Sequence, residues 1–102
     1  MANNDPISTH LRRLLGSRAY PKTICHSEVA RALSASELRA VGASDWRDLM
    51  SDVRGRVWDM RARDEVEILQ RGEVLGREVR IEDVRGPVRV RKTLGGDAGA
   101  TL

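Results

Sequence analysis

Apolar positions along the chain fall into runs of two different periods. Ile7, Leu11, Leu14 and Leu15 recur at offsets 0, 4, 7 and 8, the stripe of one helix face. Pro6 at the first helical position gives up an N–H that would lack a partner there anyway, and Asp5 is placed to cap. A first helix is predicted near 6–15, closed by Gly16. Val29, Ala30 and Leu33 make a shorter stripe, predicting a second helix near 28–34 with Ser27 as its cap. The longest pattern runs over 45–62 behind Ser44 or Asp45. There Trp46, Leu49, Met50, Val53, Val57 and Met60 stand at offsets 0, 3, 4, 7, 11 and 14. At ~100° per residue they fill a band about 100° wide, the form of a core-facing helix.

After Asp64 the period shortens to two. Val66, Ile68 and Gln70 alternate with Glu67 and Leu69 before the turn signal Arg71-Gly72-Glu73. Val88 and Val90 alternate with Arg89 and Arg91 behind the breaker Gly86-Pro87. Residues 17–25 read as a connection. The segment 34–43 reads as an extension of the second helix or a separate turn, and 74–85 as an exposed loop or a loosely formed second hairpin. The expected organisation is a disordered N-terminus over 1–5, a single domain over 6–92 and a flexible Gly/Ala-rich tail over 93–102. The fold class is mainly α with a small β-hairpin (α+β): a winged helix-turn-helix, three helices followed by an antiparallel wing.

Composition sharpens this in three ways. The 102 residues include no Phe and only Tyr20, Trp46 and Trp58 as aromatics, so one core must be built from aliphatic side chains. Net charge is +3, carried by sixteen Arg and two Lys against 15 acids. Arginine is the better fork for phosphate and carboxylate, although a codon bias would produce the same skew. A lone Cys25 forms no internal disulfide, which suits a reducing compartment. No leader pattern and no apolar run of the ~20 residues a bilayer requires are visible, so a cytoplasmic protein with no membrane partner is expected.

Three blocks occur in order: Cys25-x-Ser27-Glu28-Val29-Ala30-Arg31, Trp46-Arg47-x-Leu49-Met50-x-x-Val53-Arg54, and Gly86-Pro87-Val88-Arg89-Val90-Arg91, with Gly72 in a turn between the last two. Together they resemble a family of small bacterial proteins catalogued as a domain of unknown function with a winged-helix-like fold. The resemblance spans about Pro6 to Arg91 and implies a fold but no activity. Against that pattern His26 stands in a proline position, 34–44 is lengthened, and Trp58 replaces a smaller apolar residue.

Candidate chemistry is sparse. Cys25-His26 suggests a nucleophile or a metal, yet adjacent side chains in an extended segment diverge, and a zinc site needs three or four ligands. Only His10 could join them, so Ile24-Cys25-His26-Ser27-Glu28 is read as a helix start. The acids are scattered among bases without a catalytic pair, and no glycine-rich phosphate loop is present. No catalytic, cofactor-binding or metal residue is assigned, and an enzyme is not expected. On the third helix, Arg47, Arg54, Trp58 and Arg61 gather on one flank. Asp48, Asp52 and Asp59 lie on the far side, and a simply solvated helix would pair Asp52 with Arg56. On the last strand Arg89 and Arg91 share a face, and 85–92 holds four bases and no acid. The leading expectation is a nucleic-acid-binding module. It would contact phosphates, with double-stranded DNA as partner, through Arg47, Arg54, Trp58, Arg61, Arg89, Arg91 and Lys92. The alternative is a protein-interaction module anchored on Trp58 and the mixed-charge third helix. Reactive thiol chemistry at Cys25 is a third reading, and oligomeric state is left open.

Overall fold

The Asp5 carboxylate accepts from the Ser8 N–H at 2.9 Å and the Ser8 hydroxyl at 2.8 Å, capping α1 (Pro6–Gly16). The computed structural model describes residues 5–93; the segments 1–4 and 94–102, expected to be disordered and flexible, lie outside the described residues. At the far end the Thr93 hydroxyl donates to the Asp64 carbonyl at 2.9 Å, so this residue of the expected tail is tied to the body.

From α1 the chain passes through β1 (Ile24–Cys25) into α2 (His26–Ala32), then α3 (Ala35–Ala40). A 3₁₀ turn over Trp46–Leu49 leads into α4 (Met50–Ala62). The strands β2 (Val66–Gln70), β3 (Glu73–Val74) and β4 (Arg89–Lys92) follow, with a second 3₁₀ turn at Ile81–Asp83. The described residues thus form a mixed α+β fold of four α-helices and one antiparallel sheet in the order β1-β4-β2-β3.

The predicted stripes become the core. Ile7, Leu11 and Leu15 of α1, Val29 and Ala30 of α2, and Val53, Val57 and Met60 of α4 are all buried in one cluster. Ile24, Val90 and Ile68 pair across β1, β4 and β2 and bury against it. Because side chains alternate between sheet faces, the next row holds Cys25, Arg89, Leu69 and Val74 on the face turned away from the helices. Leu69 on that outer row is nonetheless only 7 % exposed.

Three local expectations need correction, and a fourth is resolved between its two alternatives. The connection 17–25 contributes β1, a strand too short for any periodicity to reveal. The cap of α2 is Cys25 rather than Ser27: the Glu28 carboxylate accepts the Cys25 N–H at 2.8 Å, which starts the helix at His26. The segment 34–43 forms a helix of its own, with Ser34 and Glu37 capping it reciprocally. α3 buries none of its residues, which explains why no stripe announced it. Finally, of the two readings of 74–85 the loop is the one found: Val74 belongs to β3, folded back on β2, and the rest is a loop held against α4.

Candidate nucleic-acid interface

Of the predicted flank, Arg54, Trp58 and Arg61 share one side of α4, while Arg47 lies in the preceding 3₁₀ turn, and that side of α4 faces the 75–88 loop. Arg61 donates to the carbonyls of Gly76 at 3.0 Å, Arg77 at 3.3 Å and Val79 at 2.6 Å. The indole N–H of Trp58 donates to that same Val79 carbonyl at 3.3 Å. Arg54 donates to the Gly86 and Val84 carbonyls, both at 3.0 Å. Both guanidiniums lie over the Trp58 ring, 5.7 Å and 5.3 Å from its centre. A loop without strand partners must satisfy its carbonyls somewhere, and here a charged fork serves up to three at once. These three residues, expected on phosphates, are turned inward; Arg61 is only 8 % exposed.

The other expected contacts divide. Arg91 pairs with Glu67 across the sheet at 2.7 Å and covers the Tyr20 ring at 4.9 Å. Lys92 is half-buried at the opposite end of β4. Arg47 is exposed, bonded to Asp45 at 3.2 Å and stacked on Trp46, whose ring Arg31 also approaches. Arg56 pairs with Asp5, not Asp52. Arg89 projects from the outer face and donates from Nε to the Thr23 hydroxyl at 2.6 Å.

The start of the long helical segment is acidic. Asp48 accepts from the Ser44 hydroxyl and from the N–H groups of Ser44 and Asp45. The Ser44 hydroxyl above all, then these amides, hold its carboxyl below the usual range. With Asp45 beside it, a fixed negative charge stands where a groove-inserted helix would meet phosphates.

Basic character concentrates instead at the end of the sheet. A cleft of about 520 Å³ opens there, lined by Thr23, Cys25, Leu69, Gln70, Arg71, Gly72, Arg85, Gly86, Pro87, Val88 and Arg89. Three guanidiniums and no carboxylate line it. Arg12, Arg18, Arg47, Arg56, Arg63, Arg77, Arg80 and Arg91 each meet an acid, whereas Arg71, Arg85 and Arg89 of the cleft meet none among the described residues, as Arg13, Arg31, Arg39, Arg54 and Arg61 also do not. Backbone geometry builds the walls. Arg71 and Gly72 have φ of 55° and 82° in a two-residue turn joining β2 to β3, the left-handed pair of a type I′ hairpin. Across from it the Gln70 amide donates to the Arg85 carbonyl at 2.7 Å, fixing the loop's return.

His26 forms part of the same support. It is buried, and its Nδ1–H donates to the Val88 carbonyl at 3.2 Å. Burial, and then the charge of Arg54, push its pKa below the usual histidine value, outweighing the Val88 hydrogen bond. Cys25 Sγ accepts from the Ser27 hydroxyl at 3.2 Å. Among the described residues no three His, Cys, Asp or Glu side chains converge as a metal site, and no helix is long and apolar enough to cross a membrane.

Loop, clamp and cleft all lie within residues 4–93, which match the family model described as Protein of unknown function (DUF3253). The chain belongs to this family. Membership of a domain-of-unknown-function family, expected from the three sequence blocks, is therefore found. No curated protein matches the chain. Within this DUF3253 chain, Arg71 and Arg85 are the residues that sequence reasoning passed over: the first was read only as turn, the second only as a neighbour of the last strand. An arginine before glycine in a two-residue hairpin turn, where asparagine is the ordinary choice, was the available signal.

Proposed function

We propose that this DUF3253 chain is a winged-helix module that binds nucleic acid through phosphate contacts. The order helix, strand, helices and antiparallel strands supports the winged-helix reading, with α1, α2 and α4 as its three-helix core and α3 carried in the lengthened connection. The 71–88 excursion between β2 and β4 takes the wing's place. The observation that carries the functional reading is the acid-free cleft of Arg71, Arg85 and Arg89. Guanidiniums without an acid partner suit phosphate oxygens, which accept a planar fork at two points. Arg54 contributes by holding Val84 and Gly86, hence Arg85 between them, in place. Such contacts position a duplex without reading its sequence. The acids near Asp48 favour a wing lying along the backbone over a helix set deep in a groove.

A protein-docking role for Trp58 would require the 75–88 loop to leave the helix, because the indole sits beneath it. The deciding experiment is fluorescence anisotropy with a labelled mixed-sequence duplex at ~50 and ~200 mM salt, where counterion release makes phosphate binding fall steeply. Arg71, Arg85 and Arg89 changed together to Gln should abolish binding. The same charge removed at Arg12, Arg39 and Arg63 should leave most of it. Absence of wild-type binding at the lower salt, or equal loss in both triple variants, overturns the reading.

A further inference from the structure

The cleft has a floor as well as a rim. Cys25 and Leu69 come from the outer row of the sheet and Val88 from the approach to β4, with the three arginines around them. Leu69 lies on the face away from the helices and outside the main core cluster, yet it is almost withdrawn from water. Phosphodiester contacts call only for cations, whereas the half-exposed Cys25 and the exposed Pro87 on this lining give an apolar body something to pack on. A volume of about 520 Å³ lies among small-molecule sites, which run from ~300 to ~1,000 Å³ and join apolar walls to a few placed polar groups.

We infer that the cleft is a binding site for a small organic anion, a carboxylate on an aromatic or short aliphatic body. The body packs on Cys25 and Pro87. The carboxylate meets Arg71 and Arg85, whose forks have no acid partner among the described residues, while Arg89 is oriented by Thr23 through Nε and Nη2. Charge complementarity sets the class of ligand: a cation would face three guanidiniums, and a neutral compound would leave them unused. The site shares its arginines with the proposed phosphate contacts, so the two occupants exclude one another. It does not rest on that reading.

The test uses the protein without nucleic acid. Titration with 2-naphthoate, followed by amide resonances, should give saturable shifts confined to Gly72, Gly86, Val88, Arg89 and their neighbours. Alkylation of Cys25 by iodoacetamide should slow severalfold at saturation. The neutral 2-naphthalenemethanol should bind far more weakly. The double variant R71Q/R85Q should lose about tenfold or more in naphthoate affinity, the weight of one charge-assisted hydrogen bond. Both positions are exposed, and the variant's unchanged spectrum elsewhere would show that it folds. Absence of saturable shifts, shifts centred elsewhere, or equal affinity for the neutral compound overturns the inference. Naphthoate binding by a protein with no duplex affinity supports the site and removes the nucleic-acid reading; duplex binding with no naphthoate binding does the reverse.

Discussion

Arg61 and Val79 are joined by a hydrogen bond of 2.6 Å, from the guanidinium of α4 to a backbone carbonyl of the following loop. That contact determines what the long helix shows to its surroundings. With the Gly76 and Arg77 carbonyls on the same fork and Trp58 on the same oxygen, the loop covers the basic flank of α4. The surface left to a ligand is then the loop's far edge.

Removing the fork should release the loop. Arg61→Ala takes away a nearly buried side chain and three charge-assisted bonds, some of whose acceptors can turn to water. The expected loss in urea-measured stability is about 2 kcal/mol. Amide hydrogen exchange should accelerate over 76–84 before it does in α1 or α2. Arg61→Lys should recover less than half, because an ammonium cannot reach divergent carbonyls in one plane. Wild-type protection of those amides in the alanine variant would contradict the clamp.

Much of the architecture was legible because it follows from the amphipathic periods of α1, α2 and α4, where nearly every residue of each predicted stripe is buried or packed on the core. The candidate site was less so, for reasons that particular residues show. Leu69 shares its alternation with Glu67, a solvent-side position, and nothing in that alternation announces that it is buried. A helical wheel places Arg54 and Arg61 on a flank but cannot tell a flank facing water from one facing carbonyls. Which arginines remain without an acid depends on pairings such as Arg56–Asp5 and Arg91–Glu67, between residues far apart in the chain. Turn chemistry at Arg71-Gly72 was local, and it was the one readable sign.

Arg71 should show a conflict between stability and binding. Its φ of 55° is left-handed, a region in which asparagine and glycine rest at lower cost than arginine. Arg71→Asn should therefore stabilise the protein by about 0.5 kcal/mol while weakening duplex binding. Denaturant midpoints and anisotropy on the same samples check both signs. Loss of stability would mean that the Arg71 side chain makes a structural contribution to the folded chain, and the strained turn would need another explanation.

Arg89 and Arg91 stand on one strand face and should behave differently. Arg91 is engaged by Glu67 and Tyr20, so Arg91→Gln should cost about 0.5–1 kcal/mol as a broken cross-strand pair. Its duplex affinity and salt slope should hardly change. Arg89→Gln should lower the slope of log Kobs against log salt by about 0.9, the release expected for one phosphate contact. The reverse assignment of slopes would move the interface to the other end of β4.

His26 should make the protein less stable toward mild acid. Its ring is buried with Nδ1–H on the Val88 carbonyl, and burial, then the nearby Arg54 charge, lower its folded pKa. The unfolded chain titrates at about 6.5, so as pH falls the unfolded state takes up the proton first. More protons bound when unfolded means that stability rises with pH: the full contribution is present above about 6.5 and is lost as pH falls toward the folded value. The denaturant midpoint should be highest near pH ~7.5 and lower by pH ~5.5, a window above the ordinary carboxylate range. His26→Gln keeps a donor for Val88 and cannot protonate, so its midpoint should fall less across the same interval. A wild-type midpoint that is flat there, or a slope that persists undiminished in the glutamine variant, would remove His26 as its source. Because the Val88 carbonyl lies at the cleft wall, the same descent in pH should broaden the Gly86 and Val88 resonances ahead of those in the helices.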